Sequence, residues 1–298
     1  MLDPKFVREN EALVRQALLD CNSKADLDLY LSLDKKRREL LSEVDQKKAK
    51  LNQSSEAVAR LKKQGGDASA LMAENHALSA EIKRLDTDVA NAEKEFRDLA
   101  LTFCNLPHPS VPVGGEEKNQ EVRKWGDLPS FPFEPKAHDD LATALGILDM
   151  DRAAKASGAR FYVLLGDGAK LERALLSFML DRHAANGYKE CLPPHLVTYA
   201  SMEASGQFPK FVDQAFTIEK DGLYLIPTAE VPVTNLHRDE VIPPGKLPLK
   251  YASYTPCYRR EAGSYGRDTK GLIRLHQFNK VELYQFVEPE KSTETLEA

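Results

Sequence analysis

Residues 255–282 read TPCYRREAGSYGRDTKGLIRLHQFNKVE, from Thr255 to Glu282, and the second half of the chain is organised around them. Aromatic, β-branched and polar residues mix over about Tyr251–Arg259, a composition that predicts a strand. Gly263, Gly266 and Gly271 punctuate the charged loop that follows, and Leu272 and Ile273 return abruptly to apolar character. From about Leu275 to Val287 the pattern alternates with period two. Val281, Leu283 and Val287 fall on one face; Phe278, Lys280, Glu282, Tyr284 and Phe286 fall on the other.

A ring, a cation and a carboxylate side by side in mid-strand are not what a plain core accepts. Arg259 and Glu261 also fall on one face of the first strand. Phe278 and Glu282 are separated by roughly 13 Å of extended chain, at ~3.3 Å per residue. That span suits a ligand with a flat ring at one end and a cationic group at the other, with Arg259 as a planar donor for phosphate. Spacing alone favours a solvated edge hairpin whose Arg and Glu pair for solubility. The literal string says more. Arg259-Arg260-Glu261, the loop AGSYGRDTKGLIR and the run HQFNKVE closely resemble the second signature motif of class II aminoacyl-tRNA synthetases, in its seryl-tRNA synthetase form.

The 298 residues have room for two domains, and 42% hydrophobic with 29% charged residues describe a soluble globular chain. No apolar run reaches membrane-spanning length, and MLDPKFVREN lacks the apolar centre of a signal peptide. Cys21, Cys104, Cys191 and Cys257 are scattered without a CxxC pair, which argues against a zinc site or a disulfide frame and fits a reducing cytoplasm. A net charge of −5 does not advertise nucleic-acid binding, but whole-chain charge hides any basic element.

Asp3-Pro4 predicts a helix start, running to about Leu19. From about Asp26, Leu33, Leu40 and Leu61 share one heptad register, and Val44, Leu51 and Val58 share another. Gly65-Gly66-Asp67 interrupts. The pattern resumes with Leu71, Leu78, Leu85, Ala92 and Leu99, alongside Ile82, Val89, Phe96 and Phe103. Two heptad stretches around a double-glycine turn predict an antiparallel coiled-coil hairpin with helices of roughly 45–50 Å. Lys47 and Ser54 occupy would-be apolar positions, so a looser middle is expected. The outgoing helix is rich in Lys and Arg and the returning one leans acidic. Pairing within the hairpin explains this most simply; a rail for a phosphate backbone is the sharper reading.

Asn105 to Pro135 is rich in Pro and Gly and reads as a connection between domains. One or two short helices are expected over His138–Ser157, a buried strand over Ala159–Leu165, and an amphipathic helix over about Ala169–Asn186 with Leu171, Leu175, Phe178 and Met179 on one face. A short strand at Tyr188–Pro194 follows. This helix and strand resemble the first class II motif, whose family role is a homodimer interface. Met202–Phe216 reads as irregular. Leu223–Ile226 is a short apolar strand running into Pro227-Thr228-Ala229-Glu230, where Thr228 could cap a helix. LIPTAEVPVTNL also resembles the family's loop for the serine amino group.

The resemblance implies an α+β chain: a long antiparallel α-helical coiled-coil hairpin, then a class II synthetase antiparallel β-sheet domain flanked by helices. It divides the chain into a tRNA-binding arm at 1–104 (hairpin 27–103, turn 65–67), a linker at 105–135 and a catalytic core at 136–298. It implies ATP-dependent activation of serine and transfer to tRNA(Ser), and to tRNA(Sec), in the cytoplasm, by a homodimer without membrane contact. Arg259 would stabilise charge at the α-phosphate, with Arg260, Glu261, Leu275 and Phe278 around the nucleotide. Thr228, Ala229, Glu230 and Glu282 would bind serine, and magnesium would accompany ATP. Lys35, Arg38, Lys47, Lys50, Lys62 and Lys63 are the arm's candidate tRNA contacts. The family's third motif, with an ATP-clamping arginine, and its metal ligands are expected beyond Lys291, so the core reads as C-terminally incomplete. The same parts would also serve a non-catalytic tRNA-binding or dimerising module; heptads alone would serve a structural coiled coil.

Overall fold

The computed structural model describes residues 2–262 and 270–297, so Gly263 and Gly266 of the loop lie outside the described residues. The chain forms two compact units, one up to Gly126 and one from Asp127 onward.

In the first unit, α1 (Pro4–Glu9) starts on Asp3, whose carboxylate accepts from the Phe6 amide at 2.8 Å. The sequence pattern expects one helix to Leu19, but the structure breaks it at Asn10. The backbone and side-chain N–H groups of Asn10 both donate to the Phe6 carbonyl, and α2 (Glu11–Asp20) starts afresh. Asn competes well for such local backbone bonds. The hairpin follows as α3 (Leu27–Lys63) and α4 (Ser69–Ala100), about 55 and 48 Å long at ~1.5 Å per residue. Ion pairs Lys36–Glu95, Lys47–Glu81 and Lys50–Glu74 run in opposite numerical order along the two helices, which makes the hairpin antiparallel.

Its packing is graded. At the base Val7, Val14, Leu18, Leu27, Tyr30, Phe96 and Ala100 form one buried cluster. Farther out Val44, Leu85 and Val89 form a second with Leu40 and Leu41. Toward the turn Leu51, Val58, Leu61, Leu71 and Leu78 are only half-buried. Lys47 tolerates its seam position because its ammonium reaches out to Glu81 at 3.0 Å and Glu43 at 3.5 Å.

The base holds a fully buried carboxylate. Asp34 accepts from Arg8, Arg37 and Arg38, each at 2.9 Å. Burial alone pushes its pKa up, but the bonds from Arg37, Arg38 and Arg8 together hold it below the ordinary value. The Arg37 guanidinium lies 4.7 Å above the Phe96 ring, and Tyr30 sits between Phe96 and Phe103 at 4.7 and 4.8 Å.

The cysteine spacing predicts no disulfide, yet Cys21, the C-cap of α2, is bonded to Cys104 just beyond α4, with Cα atoms 6.8 Å apart. An 83-residue separation hides this pair from a linear reading; the shared base core brings the two ends together.

The second unit begins with α5 (His138–Ala144), β1 (Leu148–Asp149) and α6 (Met150–Ser157). The strand expected over 159–165 shortens to β2 (Val163–Leu164), which is half-buried and pairs only with β1. α7 (Asp167–Ala185) carries the predicted apolar face, but Leu171, Leu175 and Phe178 are exposed in this chain. β3 (Lys189–Glu190) runs parallel to the edge of a larger hairpin described below.

β4 (Leu196–Thr198), β5 (Thr217–Ile218) and β6 (Leu223–Leu225) form a small antiparallel sheet with α8 (Tyr199–Ala204) beside it. Val197, Met202, Phe208, Ala215, Ile226 and Val231 pack beneath it. α9 (Glu230–Asn235) has Ala229 rather than Thr228 as its N-cap. β7 (Leu249–Tyr258) and β8 (Gln277–Phe286) form the long antiparallel hairpin, and α10 (Ser292–Glu297) ends the described chain. No helix among the described residues is long and apolar enough to cross a membrane.

Asp34→Asn strips the charge that three guanidinium groups share. The arginines are 21–50% exposed, which places the expected loss near the low end for a broken buried pair, about 3 kcal/mol by urea unfolding. The folded-state pKa lies below 3.8, so this stabilisation is complete above that value and lost as pH falls through the lowered one. The variant therefore lacks this part of the acid destabilisation.

Candidate active site

The register of β7 on β8 builds the site. Ser253 lies opposite Glu282, Thr255 opposite Lys280 and Cys257 opposite Phe278. These β7 residues are small and buried, and the facing β8 side chains are half-buried. Small residues on one strand leave room above them for long ones on the next. The opposite face is structural: Asn279 donates to Glu172 of α7 at 2.7 Å, and Tyr162 donates to the same carboxylate at 3.0 Å.

Arg259 follows the last residue of β7. Its amide donates to the His276 carbonyl at 3.0 Å and its Nε to the Pro227 carbonyl at 3.3 Å, while the guanidinium stands 5.2 Å from the Phe278 ring centroid. The alternation argument puts Arg259 and Glu261 on one face of a strand. The structure corrects this: the strand stops at Tyr258 and Glu261 has φ 49°. Such a conformation in a non-glycine residue costs energy and recurs at functional sites. Both side chains nevertheless line one cavity of about 350 Å³, with Met202, Gln207, Phe211 and Arg274. Glu261 pairs with Arg274 at 3.6 Å.

Gln214 clasps the start of the loop through both its amide ends, donating to the Ala262 carbonyl at 2.8 Å and accepting from the Ala262 amide at 3.0 Å. Arg260 lies over Phe216 at 5.5 Å, on the side of the loop base held by Gln214. Leu275 is buried. His276 is a packing residue: its Nδ1 bonds the Arg259 carbonyl at 2.9 Å and its ring touches Phe161 and Phe216. At the loop's far end Gly271 has φ 66°, and a Cβ there would lie 2.4 Å from His138, whose Nε2 accepts from the Leu272 amide at 2.9 Å.

The second cluster joins Thr228, Glu230, Lys280 and Glu282. Lys280 Nζ lies 2.7 Å from Thr228 Oγ1 and 2.8 Å from Glu282 Oε2. Thr228 donates to Glu282 Oε2, which also accepts from the Glu230 amide at 3.2 Å. Thr228 Oγ1 accepts from that amide at 3.3 Å, a local bond like a cap although the helix starts later. Ala229 between them is fully buried. Burial, then the nearby Glu282 charge, push the Glu230 pKa up, and Lys280 opposes them. Among the described residues the Glu230 carboxylate has no hydrogen bond or ion pair.

The sequence reading assigns no role to Lys280, Arg274 or Gln214. Lys280 could have been found from its place between Phe278 and Glu282; Gln214 and Arg274 are joined to the site only by folding.

In the arm, four of the six candidate cations are engaged: Lys35 with Glu39, Arg38 with Asp34, Lys47 with Glu81 and Lys50 with Glu74. Lys62 and Lys63, beside the turn, have no ion pair among the described residues.

Residues 1–107 match the family model for the seryl-tRNA synthetase N-terminal domain, and residues 215–298 match that for the tRNA synthetase class II core domain (G, H, P, S and T). Serine–tRNA ligases from Syntrophomonas wolfei and Carboxydothermus hydrogenoformans are 50% and 52% identical, each aligned to 100% of this chain and 70% of the relative. The crystal structure of seryl-tRNA synthetase from Pyrococcus horikoshii complexed with ATP superposes with a TM-score of 0.86 at 35% identity, over 100% of this chain and 72% of that one. A cytoplasmic serine–tRNA ligase from Naegleria fowleri in complex with AMP gives 0.80 at 26% identity, over 100% and 73%. With the hairpin matched over 1–107, the β7–β8 core over 215–298, and the whole chain aligned to relatives at about half identity, the chain belongs to the seryl-tRNA synthetase family.

Proposed function

We infer that the chain is a serine–tRNA ligase, which activates serine with ATP to seryl-adenylate and transfers the seryl group to tRNA. The observation that carries this is one face of β8, where Phe278 lies under the Arg259 guanidinium, itself lining the cavity, and Lys280 and Glu282 lie beside Thr228. Activation needs no protein nucleophile. The serine carboxylate attacks the α-phosphorus, the bond to the β-phosphate oxygen breaks and pyrophosphate leaves. The protein's task is positioning and charge stabilisation.

Arg259 would hold the α-phosphate, with Phe278 supplying a flat surface for adenine and Leu275, which is buried, a border. Glu261, held by Arg274, and Arg260 complete the nucleotide side. Thr228, Ala229, Glu230 and Glu282 form the serine side, where a buried acceptor for the hydroxyl discriminates against alanine. The terminal ribose hydroxyl of tRNA then attacks the seryl carbonyl and AMP departs.

Magnesium is proposed to arrive on the ATP phosphates, as Mg²⁺ commonly does. Among the described residues no group of three or more His, Cys, Asp or Glu could hold a metal ion. The exposed Leu171, Leu175 and Phe178 on α7 support a homodimer interface. A cytoplasmic location accords with the substrates.

The hairpin, residues 27–103 of an arm at 1–104, is proposed to grip tRNA(Ser), joined through a linker at 105–135 to the core at 136–298. The unpaired Lys62 and Lys63 are its foremost contacts.

The expected activity is serine-dependent exchange of pyrophosphate into ATP, lowered about 10²–10³-fold by Arg259→Ala. Absence of exchange, together with no binding of seryl-sulfamoyl-adenosine, a stable analogue of the adenylate, would overturn the reading. Replacing both Lys62 and Lys63 by Ala should weaken tRNA binding and reduce its salt slope by about 1–2, whereas Lys50→Ala, already paired with Glu74, should change it less. Filter binding over a salt series distinguishes them.

A further inference from the structure

We propose that Lys280 is a positioning residue of the amino-acid subsite: its ammonium ties Thr228 to Glu282 and cancels one of two adjacent carboxylate charges, leaving Glu230 and the outer oxygen of Glu282 to receive the substrate's ammonium. This rests on the serine–tRNA ligase reading and goes beyond it.

The hydrogen-bond polarities admit one assignment. Lys280 can only donate, so Thr228 Oγ1, at 2.7 Å, accepts from it and from the Glu230 amide. The single hydroxyl proton of Thr228 is then free to go to Glu282 Oε2. That oxygen accepts from the Thr228 hydroxyl and from the Glu230 amide at 3.2 Å, and forms an ion pair with the Lys280 ammonium at 2.8 Å. Glu282 Oε1 accepts no hydrogen bond among the described residues, and neither does the Glu230 carboxylate. Two acceptor groups therefore remain for a ligand that brings N–H donors.

Charge points the same way. Glu230, Glu282 and Lys280 sum to one negative charge in a half-buried place. A monocation neutralises it. Without Lys280 two carboxylates would face each other, and one would tend to take a proton instead of the substrate's ammonium. Lys280 is held by strand register opposite the buried Thr255, so its stem cannot turn down into the sheet.

The test compares the chain with its Lys280→Met and Lys280→Arg variants by calorimetric titration of seryl-sulfamoyl-adenosine and, separately, ATP. Lys280→Met should weaken the seryl compound roughly tenfold or more, as coupled network members do, and leave ATP within about twofold. Lys280→Arg, which keeps the charge, should recover most of the loss. Thermal unfolding checks the fold, and Lys280→Gln, with the same expected weakening, replaces the Met variant if that one does not fold. Unchanged seryl affinity would overturn the inference alone. So would tighter binding, which would make Lys280 a competitor for the ammonium site, or a loss confined to ATP. If the unaltered chain binds no seryl compound, the ligase reading fails and this inference with it.

Discussion

Ten consecutive residue pairs lock β7 to β8, from Leu249 opposite Phe286 to Tyr258 opposite Gln277, and this register is the constraint on which the catalytic unit depends. Side chains alternate with period two, so a slip of one residue would exchange the two faces. Phe278, Lys280 and Glu282 would turn toward α7, and Asn279 and Val281 would take their place. Both faces are specified. Asn279 and Glu172 form a bond that a slipped strand would break, and the buried Ser253, Thr255 and Cys257 accept only small volumes. Beyond the ladder, the mutual bonds of Arg259 and His276 extend the pairing one step, which brings the Arg259 guanidinium over the Phe278 ring.

The loop before α9 closes against this face from above. Pro227 offers its carbonyl to Arg259, and Thr228 offers its hydroxyl to Glu282 and Lys280. Two residues in sequence thus touch both ends of the site, Arg259 at one and Glu282 with Lys280 at the other. A rigid turn between prolines suits that task, because any shift at one end would be carried to the other.

The arm shows a different use of charge. Its cations are spent largely on its own acids, as the simplest reading of its sequence expects, and the strongest case is the buried Asp34 under three arginines. Exposed pairs of this kind contribute little each to stability, but they decide which cations remain available to a partner. Lys62 and Lys63 remain so because the returning helix starts only at Ser69, past the turn.

The helical hairpin, its turn and the β7–β8 pair were legible in the sequence, because heptad and period-two patterns record which side of an element is buried, one residue at a time. Arg259, Phe278 and Glu282 stood out through one distinctive string and Thr228 and Glu230 through another, and the fold brings the two strings together. Local competition decided otherwise at Asn10, whose side chain ended a helix that the apolar pattern would have continued, and at Glu261, where the backbone leaves the strand. Tertiary structure alone decided the rest. Only folding brings Cys21 to Cys104, Gln214 to Ala262 and Lys280 to Thr228, and only folding leaves the apolar face of α7 open. The physical reason is the same in each case: periodicity specifies that a side chain faces inward or outward, whereas its partner is chosen by contacts between residues far apart along the chain.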